Sequence, residues 1–232
     1  SNWRSAAGDL LHDGSLPSYI RFNKGFWAWD SWKIASGNAL FHPEMAKDEM
    51  RAFFDHQAAN GMVADYIGRN KASNNWRDTK PPLATWGAMN VYRASGDKNF
   101  VAELFPKLLK FHRWWYTDRD HDRNGICEYG STDGTLIAAA WESGMDNAVR
   151  FDETKMLPNG DGAWSMNQES VCLNSFLYVD KQLLAEMADL LGQGETAKQL
   201  RKEAEAVAHY VRTRMYDAER GVFCDRRLET GE

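Results

Sequence analysis

The chain lacks the features that mark several common classes of protein. Its 232 residues include only three cysteines, which are too scattered and odd in number to predict a metal motif or a disulfide framework. No apolar run approaches the length that spans a bilayer, so we expect no membrane partner. The net charge of -5 gives no electrostatic reason to expect nucleic acid. The absence of a short internal repeat disfavours a solenoid, and the first residues do not resemble a secretory signal.

Tryptophan, by contrast, is abundant, with ten copies. Its broad apolar face and single N–H suit stacking on sugar rings, although its ordinary role is core packing. Helical spacing predicts core positions for Trp86, Trp114 and Trp115. A second group lies near turns and acidic residues and is interpreted as lining a pocket: Trp27, Trp29, Trp76 and Trp141.

The apolar periodicity predicts a succession of antiparallel helices. The first two should run from about Asp30 to Leu40 and from Pro43 to Gly61, and Pro106 should divide the helical residues between 97 and 117. Two long helices should follow residue 170, with a short strand near 221–225. Residues 62–80 and 118–169 are predicted to be long loops, which are usually functional in compact domains. The fold class predicted is therefore all-α, either a helical toroid or a plain bundle.

The stretch Trp141–Asn147 suggests acid catalysis. Glu142 and Asp146 are four residues apart and would share a face if the stretch were helical. A carboxyl group desolvated beside an indole acquires a raised pKa, which a glycosidase requires of the acid that protonates its leaving group. The alternative is an ordinary helix start with two solvated acids.

Residues 120–128 have the oxygen spacing of a calcium-binding loop. Gly125 stands at the sixth position, where an EF-hand loop bends sharply, but Ser131 stands where its last acid is expected. Glu169 is a candidate to complete the site, and the alternative is a polar turn. The predicted ligands of a structural Ca²⁺ are Asp120, Asp122, Asn124, the Ile126 carbonyl, Glu128 and Glu169. Calcium would slightly favour a periplasmic or other extracytoplasmic compartment.

Five segments in one order, within about residues 2–225, resemble glycoside hydrolase family 63. They are 26–33, 75–82, the calcium loop, 141–146 and 168–170. The family includes the processing α-glucosidase of N-glycan trimming, bacterial α-glucosidases, and mannosylglycerate and glucosylglycerate hydrolases. The first residues are most similar to the bacterial α-glucosidases.

This resemblance implies an (α/α)6 toroid and hydrolysis with inversion at the anomeric carbon. It implies that Asp146 is the general acid, and it matches the calcium ligands given above. Together with the pocket tryptophans, the predicted substrate-binding set is Trp27, Trp29, Asp30, Trp76, Arg77, Trp141 and Glu142. The predicted partner is therefore an oligosaccharide or glycoside.

Two departures from the family pattern qualify the expectation. A complete toroid has six inner and six outer helices, whereas this chain offers about six or seven by ordinary helix lengths. The family's general base is a Glu in a C-terminal part beyond the matched residues, and Glu142 and Glu169 are the in-chain candidates. We therefore expect residues 1–232 to be one domain, about the N-terminal half of the toroid, completed by the same or a second chain.

The main functional hypothesis is an inverting, exo-acting α-glucosidase. The alternatives are a mannosylglycerate or glucosylglycerate hydrolase, and a non-catalytic carbohydrate-binding or scaffold piece that lacks the base. A helical domain whose aromatic loops bind another protein is a further possibility.

Overall fold

The computed structural model describes residues 2–231, which contain seven α-helices and ten short strands. The helices are α1 (Ala28–Asn38), α2 (Pro43–Phe54), α3 (Ala84–Ser95), α4 (Lys98–Asp118), α5 (Leu136–Ser143), α6 (Val171–Leu190) and α7 (Gly194–Arg214). The strands are β1 (Trp3–Arg4), β2 (Gly14–Ser15), β3 (Gly25–Trp27), β4 (Tyr66–Gly68), β5 (Glu128–Ser131), β6 (Met156–Gly160), β7 (Ala163–Glu169), β8 (Tyr216–Asp217), β9 (Val222–Phe223) and β10 (Arg226–Arg227). The helix-rich fold predicted from periodicity is confirmed.

Helices that lie close together in the chain pack against one another, and one predicted helix break is absent. α1 packs on α2 and α3, while α6 packs on α4 and α7. Asp97 caps α4 by accepting hydrogen bonds from the backbone N–H groups of Asn99 and Phe100 at 2.9 and 3.3 Å. The helix then continues through Pro106, so the predicted division there is wrong. Buried apolar side chains on both sides of the proline, including Leu104 and Leu108, hold the two halves in one register despite its missing N–H.

The predicted long loop at 118–169 is also wrong, because it contains α5 and most of an antiparallel sheet. β7 is the central strand and pairs with β5 on one side and with β6 and β10 on the other. Its buried positions include Ser165, Asn167, Gln168 and Glu169, so the strand carries no apolar alternation that sequence analysis could detect. The all-α description must therefore be extended by this sheet.

Aromatic side chains dominate the core where α1 and α4 meet. Trp32, Trp114 and Trp115 are essentially inaccessible, and the ring centroids of Trp32 and Phe111 are 6.0 Å apart. The core prediction is therefore confirmed for Trp114 and Trp115. It is wrong for Trp86, which is 36% exposed, because it lies outside the buried face of α3. No helix among residues 2–231 is long and apolar enough to cross a membrane.

Glu49 is a buried carboxyl group in the middle of α2. It is 1% exposed, and one of its oxygens accepts a hydrogen bond from the backbone N–H of Ser15 at 2.9 Å. Burial penalises the charged form more strongly than the hydrogen bonds favour it, which raises the pKa of Glu49 to about 7. Folding therefore favours the protonated form of this group.

Stability should fall as pH rises from about 4.5 to about 7, because the unfolded chain releases the Glu49 proton before the folded chain does. In Glu49→Gln this contribution is absent. The total loss of unfolding free energy over this pH range should therefore be smaller by roughly 1–3 kcal/mol. Urea unfolding at several pH values between 4.5 and 8 measures the difference. Glu205→Gln, at an exposed site on α7, is the control, and parallel profiles for wild type and Glu49→Gln would contradict the prediction.

Candidate active site

The predicted acid lies in a turn that follows a short helix. α5 ends at Ser143, and Gly144 then adopts a left-handed conformation with φ of +69°. The chain therefore leaves the helix before it reaches Asp146, so the condition under which Glu142 and Asp146 would share a helical face is not met. Glu142 is fully buried, whereas Asp146 is exposed and its side chain makes no hydrogen bond to any described residue. The predicted burial of Asp146 against an indole is not observed.

Glu142 makes a bidentate ion pair with Arg119 at the end of α4. Its Oε1 accepts from Arg119 Nε at 2.8 Å and from the backbone N–H of Gly130 at 2.7 Å. Its Oε2 accepts from Arg119 Nη2 at 2.9 Å and from the backbone N–H of Thr79 at 3.3 Å. Both side chains of the pair are 0% exposed. The substrate-binding role predicted for Glu142 is therefore wrong, because both oxygens are saturated within the protein.

Trp29 packs directly against the turn that carries the acid. A Cβ atom added to Gly144 would lie 2.2 Å from Cη2 of the indole, so only glycine leaves room for the ring. On the same helix, Lys33 places its Nζ 3.4 Å from the centroid of the Trp29 ring, within range of a cation–π interaction. The structure thus brings Trp29 close to the segment that carries Asp146.

A buried network of carboxylates surrounds Lys80. Its Nζ contacts Asp65 Oδ1 and Asp78 Oδ2, each at 3.2 Å, and donates to the carbonyl oxygen of Trp141. Asn75 Nδ2 bridges the same two carboxylates at 3.1 and 2.8 Å. Burial and the neighbouring charge of Asp65 raise the pKa of Asp78 to about 7. Sequence analysis missed Asp65 and Lys80 as site residues, although Asp78 and Lys80 lie in a segment it recognised.

Asp30 is partly buried at the start of α1, beside this network. Burial raises the pKa of Asp30, while the positive charges of Lys33 and Lys80 oppose the increase. Asp30 and Trp29 lie together in the first turn of α1.

The remaining predicted aromatic residues are all partly buried. The Arg77 guanidinium lies 5.1 Å from the centroid of the Trp141 ring, and its Nε donates to Asp133 at 2.5 Å. The Trp76 carbonyl accepts from Thr132 Oγ1 at 2.8 Å, so the loop before α3 is tied to the segment before α5. Trp27 instead packs on Tyr66 of β4, with ring centroids 4.6 Å apart.

The predicted calcium ligands converge only in part. Oxygen atoms of Asp122, Glu128 and Glu169 lie within 4.8 Å of one another. Asp120 accepts the backbone N–H groups of Asn124 and Gly125 at 3.0 and 2.9 Å, which stabilises the turn that also contains Ile126. Asn124 Nδ2 donates to Glu169 Oε1 at 2.7 Å.

A divalent cation fits the chemistry of this cluster. Oε1 of Glu128 is buried and has no hydrogen-bond partner among residues 2–231, and burial raises the pKa of this carboxyl well above its usual range. Oxygen ligands from several carboxylates are what Ca²⁺ prefers, and an ion would supply the partner that this oxygen lacks.

Comparison with known proteins identifies the class of this helix-rich chain as a glycoside hydrolase domain. The model of the mannosylglycerate hydrolase MGH1-like glycoside hydrolase domain matches residues 23–232, and the chain belongs to this family. The resemblance to glycoside hydrolase family 63 is thereby confirmed.

Curated relatives and solved structures agree with this assignment. Mannosylglycerate hydrolase from Thermus thermophilus is 29% identical over 149 residues, covering 55% of this chain and 34% of the relative. Mannosylglycerate hydrolase MGH2 from Selaginella moellendorffii is 29% identical over 147 residues, covering 55% and 28%. The match thus spans about a third of these relatives' length.

Two solved structures show the same fold. A GH63 mannosylglycerate hydrolase from Thermus thermophilus, in complex with Tris and D-glycerate, superposes with a TM-score of 0.73 at 21% identity, covering 94% of this chain and 65% of that one. Neutral trehalase Nth1 from Saccharomyces cerevisiae gives 0.74 at 16% identity, covering 98% and 52%.

Glu142→Gln should lower the free energy of unfolding by about 3–5 kcal/mol, because it leaves the Arg119 charge buried without a counter-charge. Urea unfolding measures the change. Glu186→Gln is the matched control, since Glu186 pairs with Arg93 on the surface with both side chains about half exposed, and its loss should cost less than about 1 kcal/mol. Equal costs for the two substitutions would contradict the structural role of Glu142.

Proposed function

We propose that this chain is the acid-bearing part of an inverting glycoside hydrolase that cleaves α-mannosyl or α-glucosyl glycerates. The family match over residues 23–232 carries the proposal, and the curated mannosylglycerate hydrolases support its substrate class. These relatives favour the glycerate glycosides over the simple α-glucosides that the first residues of the chain suggested. In the whole protein, further helices would complete an (α/α)6 toroid.

In this proposal Asp146 protonates the glycosidic oxygen as the bond to the sugar breaks. The Gly144 turn directs the carboxyl group outward, where an incoming glycoside can reach it, and Trp29 packs against the same turn. Trp29 and Asp30 would hold the sugar that is cleaved. Trp76, Arg77, Trp141 and Trp27 would line the rest of the cleft.

An inverting mechanism also needs a base that activates water on the opposite side of the sugar. Neither in-chain candidate suits this role. Glu142 is saturated by Arg119, and Glu169 accepts hydrogen bonds from Asn124 and from Tyr210 Oη at 2.7 Å. We therefore assign the role of the base to neither Glu142 nor Glu169.

Asp146→Asn should lower kcat on mannosylglycerate or glucosylglycerate by at least about 10²-fold, because the amide cannot protonate the leaving oxygen. Steady-state kinetics on the intact protein measure the loss, and calorimetric titration should show that the substrate still binds. Asp161→Asn, at an exposed turn position between β6 and β7, is the control. Undiminished turnover in Asp146→Asn would remove this residue from the acid role.

We also propose that Asp122, Glu128 and Glu169 hold a structural Ca²⁺, with Asn124 and the Ile126 carbonyl as further ligands and Asp120 shaping the turn. The ion would offset the repulsion among three clustered carboxylates and connect the loop to β5 and β7. The support is the convergence of these oxygens and the unpartnered, buried oxygen of Glu128.

Calcium should raise the melting temperature, since an ion at 100 times its dissociation constant stabilises the folded state by about 2.7 kcal/mol. Differential scanning calorimetry after chelation, with and without added Ca²⁺, measures the shift. Glu128→Gln should lose most of it, while Glu186→Gln keeps it. A calcium-independent melting temperature in the wild type would exclude the site.

A further inference from the structure

The direction of the Asp146 carboxyl group depends on the loop that carries it, residues 144–150, here called the acid loop. No group of residues 2–231 forms a hydrogen bond with this side chain, so the backbone alone orients it. At its first residue the loop is fixed by the packing of Gly144 on Trp29. At its other end it enters a 3₁₀ turn, Val149–Phe151. The contacts that hold this second end therefore help to determine where the acid points.

Arg150 closes the acid loop. Its Nη2 lies 3.5 Å from Met145 Sδ and donates to Cys172 Sγ on α6 at 3.1 Å, while its Nη1 donates to Asp225 Oδ2 at 2.9 Å. Met145 directly precedes Asp146, and Arg150 follows it by four residues. The planar guanidinium thus connects the two sides of the acid to each other and to a third segment of the chain.

Asp225, the anchor of Arg150, is itself held by two elements. Its Oδ1 accepts from the backbone N–H of Val171, the first residue of α6, at 2.8 Å, and its Oδ2 accepts from Gln168 Nε2 on β7 at 2.8 Å. The Asp225 side chain is 10% exposed and that of Arg150 is 29% exposed, so water screens the pair less than it screens a surface ion pair. Arg150 therefore joins the acid loop to a helix and a strand.

We propose that Arg150 is a positioning residue for the general acid, which it holds where Asp146 meets the glycosidic oxygen. This inference rests on the proposed function. An ion pair that served stability alone would need only the contact with Asp225, whereas the second arm of the guanidinium reaches back past the acid to Met145. In this role Arg150 acts through Asp146 and not on the substrate, so it affects the steps that use the proton of the acid.

Two substrates that differ in their need for that proton test the role. Glucosylglycerate releases an alkoxide oxygen that must be protonated, whereas α-glucosyl fluoride releases fluoride, a weak base that leaves with little help from an acid. Arg150→Met should lower kcat on glucosylglycerate about 10- to 100-fold, as expected when a catalytic group shifts by about 1 Å. Its kcat on the fluoride, and its KM for glucosylglycerate, should change less than about threefold. The corresponding mannosides serve equally well.

A double variant gives a second readout. Once the acid is absent its positioning residue has nothing to orient, so adding Arg150→Met to Asp146→Asn should change kcat on glucosylglycerate less than about threefold. Arg51→Met is the matched control, because Arg51 of α2 forms an ion pair with Glu103 of α4 at 2.8 Å and its side chain is 22% exposed. This control should keep the wild-type kcat on both substrates.

Arg150→Lys preserves a charge for Asp225 but lacks the second arm, so it should lose about 3- to 10-fold on glucosylglycerate, the value of one hydrogen bond. It carries the test if Arg150→Met does not fold. Equal losses on the glycerate and the fluoride, no loss on either, or a further loss in the double variant would overturn the positioning role and leave the glycosidase proposal intact. If the wild type cleaves neither substrate, the proposed function fails and this inference fails with it.

Discussion

The buried ion pair between Arg119 and Glu142 is the interaction on which the candidate site depends. It joins four parts of the chain, since Glu142 also accepts backbone hydrogen bonds from Thr79 and Gly130. Through these contacts the end of α4, the loop before α3, strand β5 and helix α5 are held in one arrangement. An ion pair without solvent access is costly unless every oxygen and N–H finds a partner, and here both carboxylate oxygens do. The fixed end of α5 then determines where the following turn directs Asp146.

A second, more polar network supports the same region from the other side. Lys80 connects Asp65 and Asp78 to the backbone carbonyl of Trp141, one residue before Glu142. The two networks act on successive residues of α5, so the helix is fixed although it has only eight residues. A helix this short would be marginal alone, and its position is therefore determined by tertiary contacts.

Much of the helical fold could be predicted from sequence because amphipathic spacing and caps are local signals, as the Asp97 cap of α4 illustrates. The sheet could not be predicted, since the buried strand β7 is rich in polar residues such as Asn167 and Gln168, whose partners lie far along the chain. For the candidate site, the choice of members remains a prediction, while the structure corrects part of the geometry that the sequence suggested. Motifs identified Trp29, Asp30 and Asp146, but the left-handed turn at Gly144 separates Glu142 from Asp146 in a way that a helical pattern does not reveal.

The role of Glu142 illustrates the same limit. From sequence, a carboxylate beside a tryptophan and near a candidate acid suggests a group that contacts substrate. Only the long-range partner Arg119, which lies 23 residues earlier, shows that its charge is used inside the protein.

The packing of Trp29 on Gly144 has a consequence for interpreting other chains of this type. A motif match through Trp141, Glu142 and Asp146 alone does not establish the same arrangement, because any side chain at position 144 would collide with the indole. A relative with alanine or serine at position 144 must place the tryptophan at position 29 differently, or carry a smaller residue in place of the tryptophan. The pair of positions 29 and 144 is thus a compact criterion for sorting homologous sequences by how closely an indole can approach this turn.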